Sequence, residues 1–366
     1  MPIRQRFDYL LLGAAIVQTA IGLAILASAS WLIAIERYHR PGSYFVAWQA
    51  ATAFVGLVLL VMTMHVKVEL LSSTRAVAAA MVVSWLMLVV ALMQAPVANA
   101  HRWLSVAGLS VQPSVLARLA TILFTVTWLT RARTSGWSLR HLAPVALGCA
   151  LTAGLIGFEP DLGSAALIVL VVAATTFVAG VPVRLLLAPA AVCFAALAAG
   201  IASSPYRLQR VLAFVGTDSA SAVGWQSYQS LVAAGSGGLF GRGYGAGLQK
   251  LFFLPEPHTD FIFSITGEEL GLVGMIAVAA LTALITWRGL RIALTSARPE
   301  RSLLAFAVTF AFAAQALIHM VVCLDLLPPK GIPLPLVSYG KTDLMVSMVS
   351  IGLLLNLSRA PAGARP

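Results

Sequence analysis

Apolar runs of roughly bilayer length recur along this chain, and they constrain it more than any other feature. Ten of them read as membrane spans, at about 9–34, 43–64, 75–95, 114–130, 141–157, 163–180, 183–201, 262–287, 302–323 and 342–358. A helix rises about 1.5 Å per residue, so about 20 apolar residues cross a hydrocarbon core of about 30 Å. Inside that slab only helices and closed barrels satisfy their own backbone hydrogen bonds. The runs therefore predict an all-α polytopic membrane protein, a single membrane domain over 1–366. Charge content agrees: 10% of residues are charged, where a soluble domain carries about 25%. The first run contains Ala27-Ser28-Ala29, which mimics a signal-peptidase site. The apolar stretch before it exceeds the ~7–15 residues of a signal peptide, so it reads as an uncleaved first span.

The net charge of +11 would point to nucleic acid in a soluble protein. Here it reads as topogenic. With the N-terminus inside, fourteen Lys and Arg fall on inside connections and termini and four in the short outside loops. Both termini are then cytoplasmic. One long loop, about 202–261, lies outside the cell membrane between spans seven and eight. It carries Trp225, Tyr228, Phe240, Tyr244, Phe252 and Phe253, which predicts amphipathic or re-entrant segments on the outer surface. Cys149, Cys193 and Cys323 lie in apolar stretches and read as packing residues.

Two stretches break the apolar pattern. "GSGGLFGRGYGAG" (235–247) contains a G-x-G-x-x-A match at Gly241, Gly243 and Ala246, but no strand pattern flanks it. Its glycines instead predict tight turns and close backbone packing. "LPPKGIPLP" (327–335) predicts a broken segment entering the membrane, which is tolerated where protein buries it or a wet cavity borders it.

Acids are scarce, yet "LPEPHTDFIFSITGEELG" (254–271) holds four of the thirteen. Two readings of Asp260 stand: a helix N-cap, shared with Thr259, or a general base at the outer leaflet. Glu268 and Glu269 fall inside the next span, where at least one should face a polar cavity. Glu159 and Asp161, in "GFEPDLGSA" (157–165), are either a capped turn or a cavity wall or metal partner. Arg118, about one turn inside span four, calls for an anion, for snorkelling or for an ion pair. With Arg102, Arg207, Arg210, Lys330 and Lys341 on the same side, it suggests a site for an anionic lipid head group, diphosphate being the natural match.

Four stretches, "HRWLSVAGLSVQPSVLARLA" (101–120), "FEPDLGSA" (158–165), "YQSLVAAGSGGLFGRGYGAGLQKLFFLPEPHTDFIFSITGEELGLVG" (228–274) and "LLPPKGIPLPLVSYG" (326–340), together resemble the SEDS family of FtsW and RodA. "QKLFFLPEPHTDFIF" and the lysine in "PPKG" look more like FtsW than RodA. The resemblance implies ten spans, a bacterial cytoplasmic-membrane location and a peptidoglycan glycosyltransferase that polymerises lipid II in division or elongation. It implies a class B penicillin-binding protein as partner, with other divisome or elongasome membrane proteins. It makes Asp260 the essential aspartate of the H-T-D-F-I-F motif and general base. A divalent cation, Mg or Mn, is a candidate cofactor with no visible ligand set. Substrate contacts are expected from Arg102, Arg118, Arg210, Lys330, Lys341, His258, Glu159, Asp161, Glu268, Glu269 and Ser338.

The chain departs from the family pattern in places. The Q-P-S-E-x-x-K acid and lysine become Val115 and Arg118, Q-P-D becomes Glu159-Pro160-Asp161, and S-Y-G-G-S-S becomes Ser338 to Asp343 with Lys341 inserted among them. Lys341 and Asp343 could re-pair charges elsewhere, and a degraded site is the alternative. A lipid II flippase and a non-catalytic scaffold for the penicillin-binding protein compete with the enzyme reading.

Overall fold

Each of the ten expected spans coincides with a helix. This computed structural model describes residues 7–71, 73–95, 101–106, 109–204, 208 and 222–359. Its helices are α1 (Tyr9–Glu36), α2 (Tyr44–His65), the single turn α3 (Val68–Leu71), α4 (Thr74–Met93), α5 (Pro113–Ser135), α6 (Leu139–Phe158), α7 (Leu162–Val178), α8 (Val183–Ala202), α9 (Ala222–Ser236), α10 (Ile262–Thr295), α11 (Pro299–Cys323) and α12 (Lys341–Leu357). Eight are long and apolar enough to cross a membrane, while α7 and α12 have 17 residues each. The all-α expectation needs one correction. Leu104–Val106 (β1) pairs antiparallel with Leu109–Val111 (β2), Ser105 opposite Ser110, between α4 and α5. The doubled Leu-Ser-Val around Ala107-Gly108 was the available signal, but three-residue strands are too short for a periodicity count.

Local chemistry sets the helix ends. Asp8 Oδ1 accepts from Leu11 N at 3.1 Å to cap α1, and Ser73 Oγ accepts from Ala76 N to cap α4. Pro113 and Pro299 begin α5 and α11, where a missing N–H costs nothing. The outward faces keep large apolar side chains exposed, including Phe54, Met93, Phe158 and Phe194. Such a surface matches a lipid environment. α12 lies along α2, and Gly352 permits the approach: a Cβ there would stand 2.5 Å from the Leu60 carbonyl oxygen. α10 packs on both α1 and α11.

α10 is broken near its start. Gly271 takes φ 68° and ψ −167°, which interrupts the hydrogen-bond ladder. The glycine-rich stretch repairs it. Arg242 N donates to Glu268 O at 2.9 Å and Gly243 N to Glu269 O at 3.1 Å. In return Leu272 N donates to Gly238 O and Val273 N to Leu239 O, at 2.9 and 3.2 Å. Only glycine allows this proximity: a Cβ on Gly237 would lie 2.0 Å from Gly267 O, and one on Gly241 2.1 Å from Glu269 O. The 235–247 stretch is thus the patch on a broken helix, and the close backbone packing expected of it is present.

Gly241→Ala should therefore lower the thermal unfolding temperature in detergent, with a loss of about 2–4 kcal/mol from displaced hydrogen bonds and a φ of +81°. Gly235→Ala, in α9 with no neighbour within 4 Å of its Cβ, should be neutral or slightly stabilising in the same assay.

Candidate functional site

The proline-rich segment between α11 and α12 supplies the floor of the site. Its carbonyls have no helix to accept them, so side chains from three helices do. Gln18 of α1 donates to Pro335 O at 3.3 Å, and Gln49 of α2 to Ser338 O at 3.0 Å. Gln315 and His319 of α11 reach Pro333 O and Ile332 O, each at 2.8 Å. A carbonyl only accepts, so His319 carries its proton on Nδ1, leaving Nε2 facing Cys323 Sγ at 3.5 Å. Ile332, Leu334, Leu336, Val337 and Ser338 are buried, as the broken-segment expectation requires.

Asp260 sits beside this floor. It does not cap α10: the N-cap position is Phe261, and no side chain makes the cap bond there. Its half-buried carboxylate turns toward the Lys330-Gly331 turn, where a Cβ on Gly331 would lie 3.1 Å from Oδ2. Lys330 in turn passes α7, its Cδ 3.5 Å from where a Gly163 Cβ would be. Two residues earlier, Asp161 caps α7 by accepting from Ser164 N and Ser164 Oγ at 3.1 and 2.8 Å. Arg102 approaches Asp161 Oδ2 at 3.8 Å and donates to Pro160 O at 2.7 Å. The structure thus links Asp260, Lys330, Asp161 and Arg102 into one polar tract drawn from four separate stretches of chain.

Glu159 stands behind that tract, with no exposed surface and no hydrogen-bond partner for either carboxylate oxygen. Burial, then repulsion from Asp161, pushes its pKa up to about 8, against the pull of Arg102. It is a neutral acid near pH 7, the shape and charge of the glutamine in the Q-P-D pattern. An acid whose folded pKa lies above its unfolded value binds more protons when folded, so stability falls as pH rises from about 4.5 to about 8. Glu159→Gln should flatten that decline in thermal unfolding measured across this window, with its gain greatest above pH 8.

Other expected contacts are occupied within the protein. Arg118 pairs with Asp343 at 3.1 Å, and Gln315 donates to the same carboxylate oxygen at 3.0 Å. The charge pair missing from residues 115–118 is rebuilt across α5 and α12, so Arg118 meets an internal anion. Lys341 lies 4.3 Å from the Trp48 ring centroid, a cation–π contact. His258, 3% exposed, packs among Phe45 and Tyr339, and burial lowers its pKa so that it is neutral. Ser338 Oγ donates to Thr259 O at 2.7 Å and accepts from Leu334 N at 2.8 Å, so it positions the Asp260 segment.

Glu268 and Glu269 face the loop rather than an open cavity. Glu268 Oε1 accepts from Leu248 N at 2.7 Å, and Gln249 N also donates to that carboxylate. Glu269 Oε1 holds Lys250 Nζ and Ser28 Oγ, each at 2.6 Å, while Oε2 accepts from Gly245 N. The expectation that adjacent glutamates could not share a partner is corrected: both anchor the 244–250 turn. Lys250, Gln49 and Gln315 were missed in the sequence; an unpaired lysine facing an intramembrane glutamate was the one available signal. Arg210 lies outside the described residues. Among the described residues no group of three or more His, Cys, Asp or Glu side chains converges to hold a metal.

Removing one partner of the buried Arg118–Asp343 pair strands the other. Asp343→Asn should cost about 3–5 kcal/mol in thermal unfolding, and Arg118→Gln with Asp343→Asn should recover much of that loss.

Comparison with known proteins agrees with this geometry. Residues 8–362 match the cell cycle protein family of FtsW, RodA and SpoVE. A probable peptidoglycan glycosyltransferase FtsW of Trichlorobacter lovleyi is 33% identical over 360 residues, 96% of this chain and 93% of the relative. Stage V sporulation protein E of Bacillus subtilis is 34% identical over 96% of this chain and 97% of its own length. Among solved structures, a peptidoglycan synthase complex that coordinates polymerization and crosslinking contains a chain with TM-score 0.78, 26% identical, with 97% of this chain and 98% of that one covered. The rod shape determining protein RodA of Thermus thermophilus gives TM-score 0.71 at 25% identity, with 98% of both chains covered. The chain belongs to the FtsW, RodA and SpoVE family.

Proposed function

We propose that this chain is a peptidoglycan glycosyltransferase that polymerises lipid II at the outer leaflet, with Asp260 as general base. The observation that carries the reading is the placement of Asp260: off the helix cap, half-buried, and at one end of a tract holding Lys330, Asp161 and Arg102. In this reading α7 and α12 complete ten spans, both termini are cytoplasmic, and the 202–261 loop and Asp260 lie on the outer side of the cytoplasmic membrane.

Asp260 accepts the proton of the 4-hydroxyl on the acceptor's GlcNAc as that oxygen attacks the anomeric carbon of the donor's MurNAc. The new C–O bond forms as the bond to the diphosphate breaks, and the electron pair leaves with undecaprenyl diphosphate. Attack from the face opposite the leaving group inverts the anomeric centre. Lys330 and Arg102 are the cations placed to meet charge developing on the diphosphate. The described residues offer no ligand set for a divalent cation, so no step is assigned to one. The relatives' names and the synthase-complex neighbour support a class B penicillin-binding protein as partner.

Transport fits less well. The intramembrane charges a flippase would use are spent internally, in Arg118–Asp343 and Lys250–Glu269.

Purified protein with its penicillin-binding partner and lipid II tests the proposal. Asp260→Asn should reduce glycan polymerisation by about 10²–10⁴-fold, the contribution of a general base, while unfolding temperature and co-purification with the partner stay unchanged. Polymerisation at the wild-type rate in Asp260→Asn would exclude Asp260 as the base. No product from either protein, in an intact complex, would favour a scaffold.

A further inference from the structure

The largest described cavity lies at the other end of the bundle from Asp260. α10 begins two residues after Asp260 and runs 34 residues to Thr295, up to about 50 Å at about 1.5 Å per residue. At that far end the two described chain ends meet the α10–α11 connection around a cavity of about 390 Å³. Arg288, Arg291, Arg298, Arg301 and Arg359 line it, against the single carboxylate of Asp8.

That carboxylate is already engaged. Asp8 Oδ2 takes both Arg288 Nε and Nη2 at 2.7 Å, while Oδ1 caps α1. The pair joins α1 to α10 and leaves four arginines on the rim with no further acid among the lining residues. Arg359 is held in place by its stacking on Phe7, 3.7 Å from the ring centroid. Arg291 lies 5.9 Å from the Trp287 ring. Arg298 meets Glu300 only at 4.0 Å, with both side chains largely exposed.

Bare topogenic charge needs neither a cavity nor convergence; scattered lysines would serve. Here all the cations are arginines, whose planar forks suit phosphate oxygens better than the point charge of lysine. Gathering four uncompensated positive charges around one hollow is unfavourable unless an anion enters it. A water occupies about 30 Å³ of liquid, so the space admits a group of several heavy atoms.

We propose that this arginine-lined cavity binds a phosphate-bearing anion of two or more charges, either the head group of an anionic phospholipid or a soluble phosphoanhydride. It is independent of the glycosyltransferase assignment and of Asp260.

The test titrates the purified full-length chain in neutral detergent, once with cardiolipin in mixed micelles and once with inorganic diphosphate. Saturable binding of either is expected. Arg291→Gln with Arg298→Gln should weaken it about 30-fold, on the basis of about a factor of five per arginine near a phosphate surface. Arg133→Gln with Arg140→Gln makes the same charge change outside the cavity and should leave affinity within about three-fold. Binding of cardiolipin but not diphosphate identifies a lipid site, and binding of diphosphate identifies a soluble phosphate. No saturable binding of either titrant, or equal weakening by both variant pairs, would overturn the proposal.

Discussion

Backbone hydrogen bonding in a medium without water is the constraint on which this structure depends. A helix meets it by itself, so ten apolar segments need little help. The two places where the helix fails are where the protein's specific side chains gather. At Gly271 the freed groups of α10 are taken by main-chain atoms of the glycine-rich loop. Between α11 and α12 the proline-rich carbonyls are taken by Gln18, Gln49, Gln315 and His319.

These two repairs place the candidate site. The loop repaired onto α10 is tied down by Glu268, Glu269 and Lys250, and it leads directly into the His258–Asp260 segment. That segment is held from the other side by the proline-rich floor. Ser338 Oγ donates to Thr259 O, and Tyr339 N donates to His258 O at 3.0 Å. Residues flanking Asp260 on its N-terminal side are thus fixed to a second, independently anchored segment. His258 contributes shape here, and Asp260 is left to carry charge.

Departures from the family pattern become intelligible as exchanges of partners. Arg118 without its nearby acid would be an isolated intramembrane cation. Asp343, from the altered stretch before α12, answers it, and Gln315 shares the load. Glu159 in place of glutamine keeps the neutral hydrogen-bonding shape of an amide only while protonated, which burial enforces. The substituted positions form a paired set, which argues against decay of the site.

The sequence by itself determined the spans, their boundaries to within a few residues, the broken proline-rich segment and the packing role of the glycine-rich stretch. Each follows from local rules of apolar length, missing N–H groups and missing Cβ atoms. It also marked Asp260, Asp161, Lys330 and Arg102 as unusual, because charges are scarce in such a chain. It left their grouping open, since they come from stretches more than 150 residues apart. The partners of Arg118, Glu268, Glu269 and His258 were decided only by tertiary structure. A buried charge requires some counter-charge or donor, but which helix delivers it depends on packing across the bundle, and residue spacing carries no record of that.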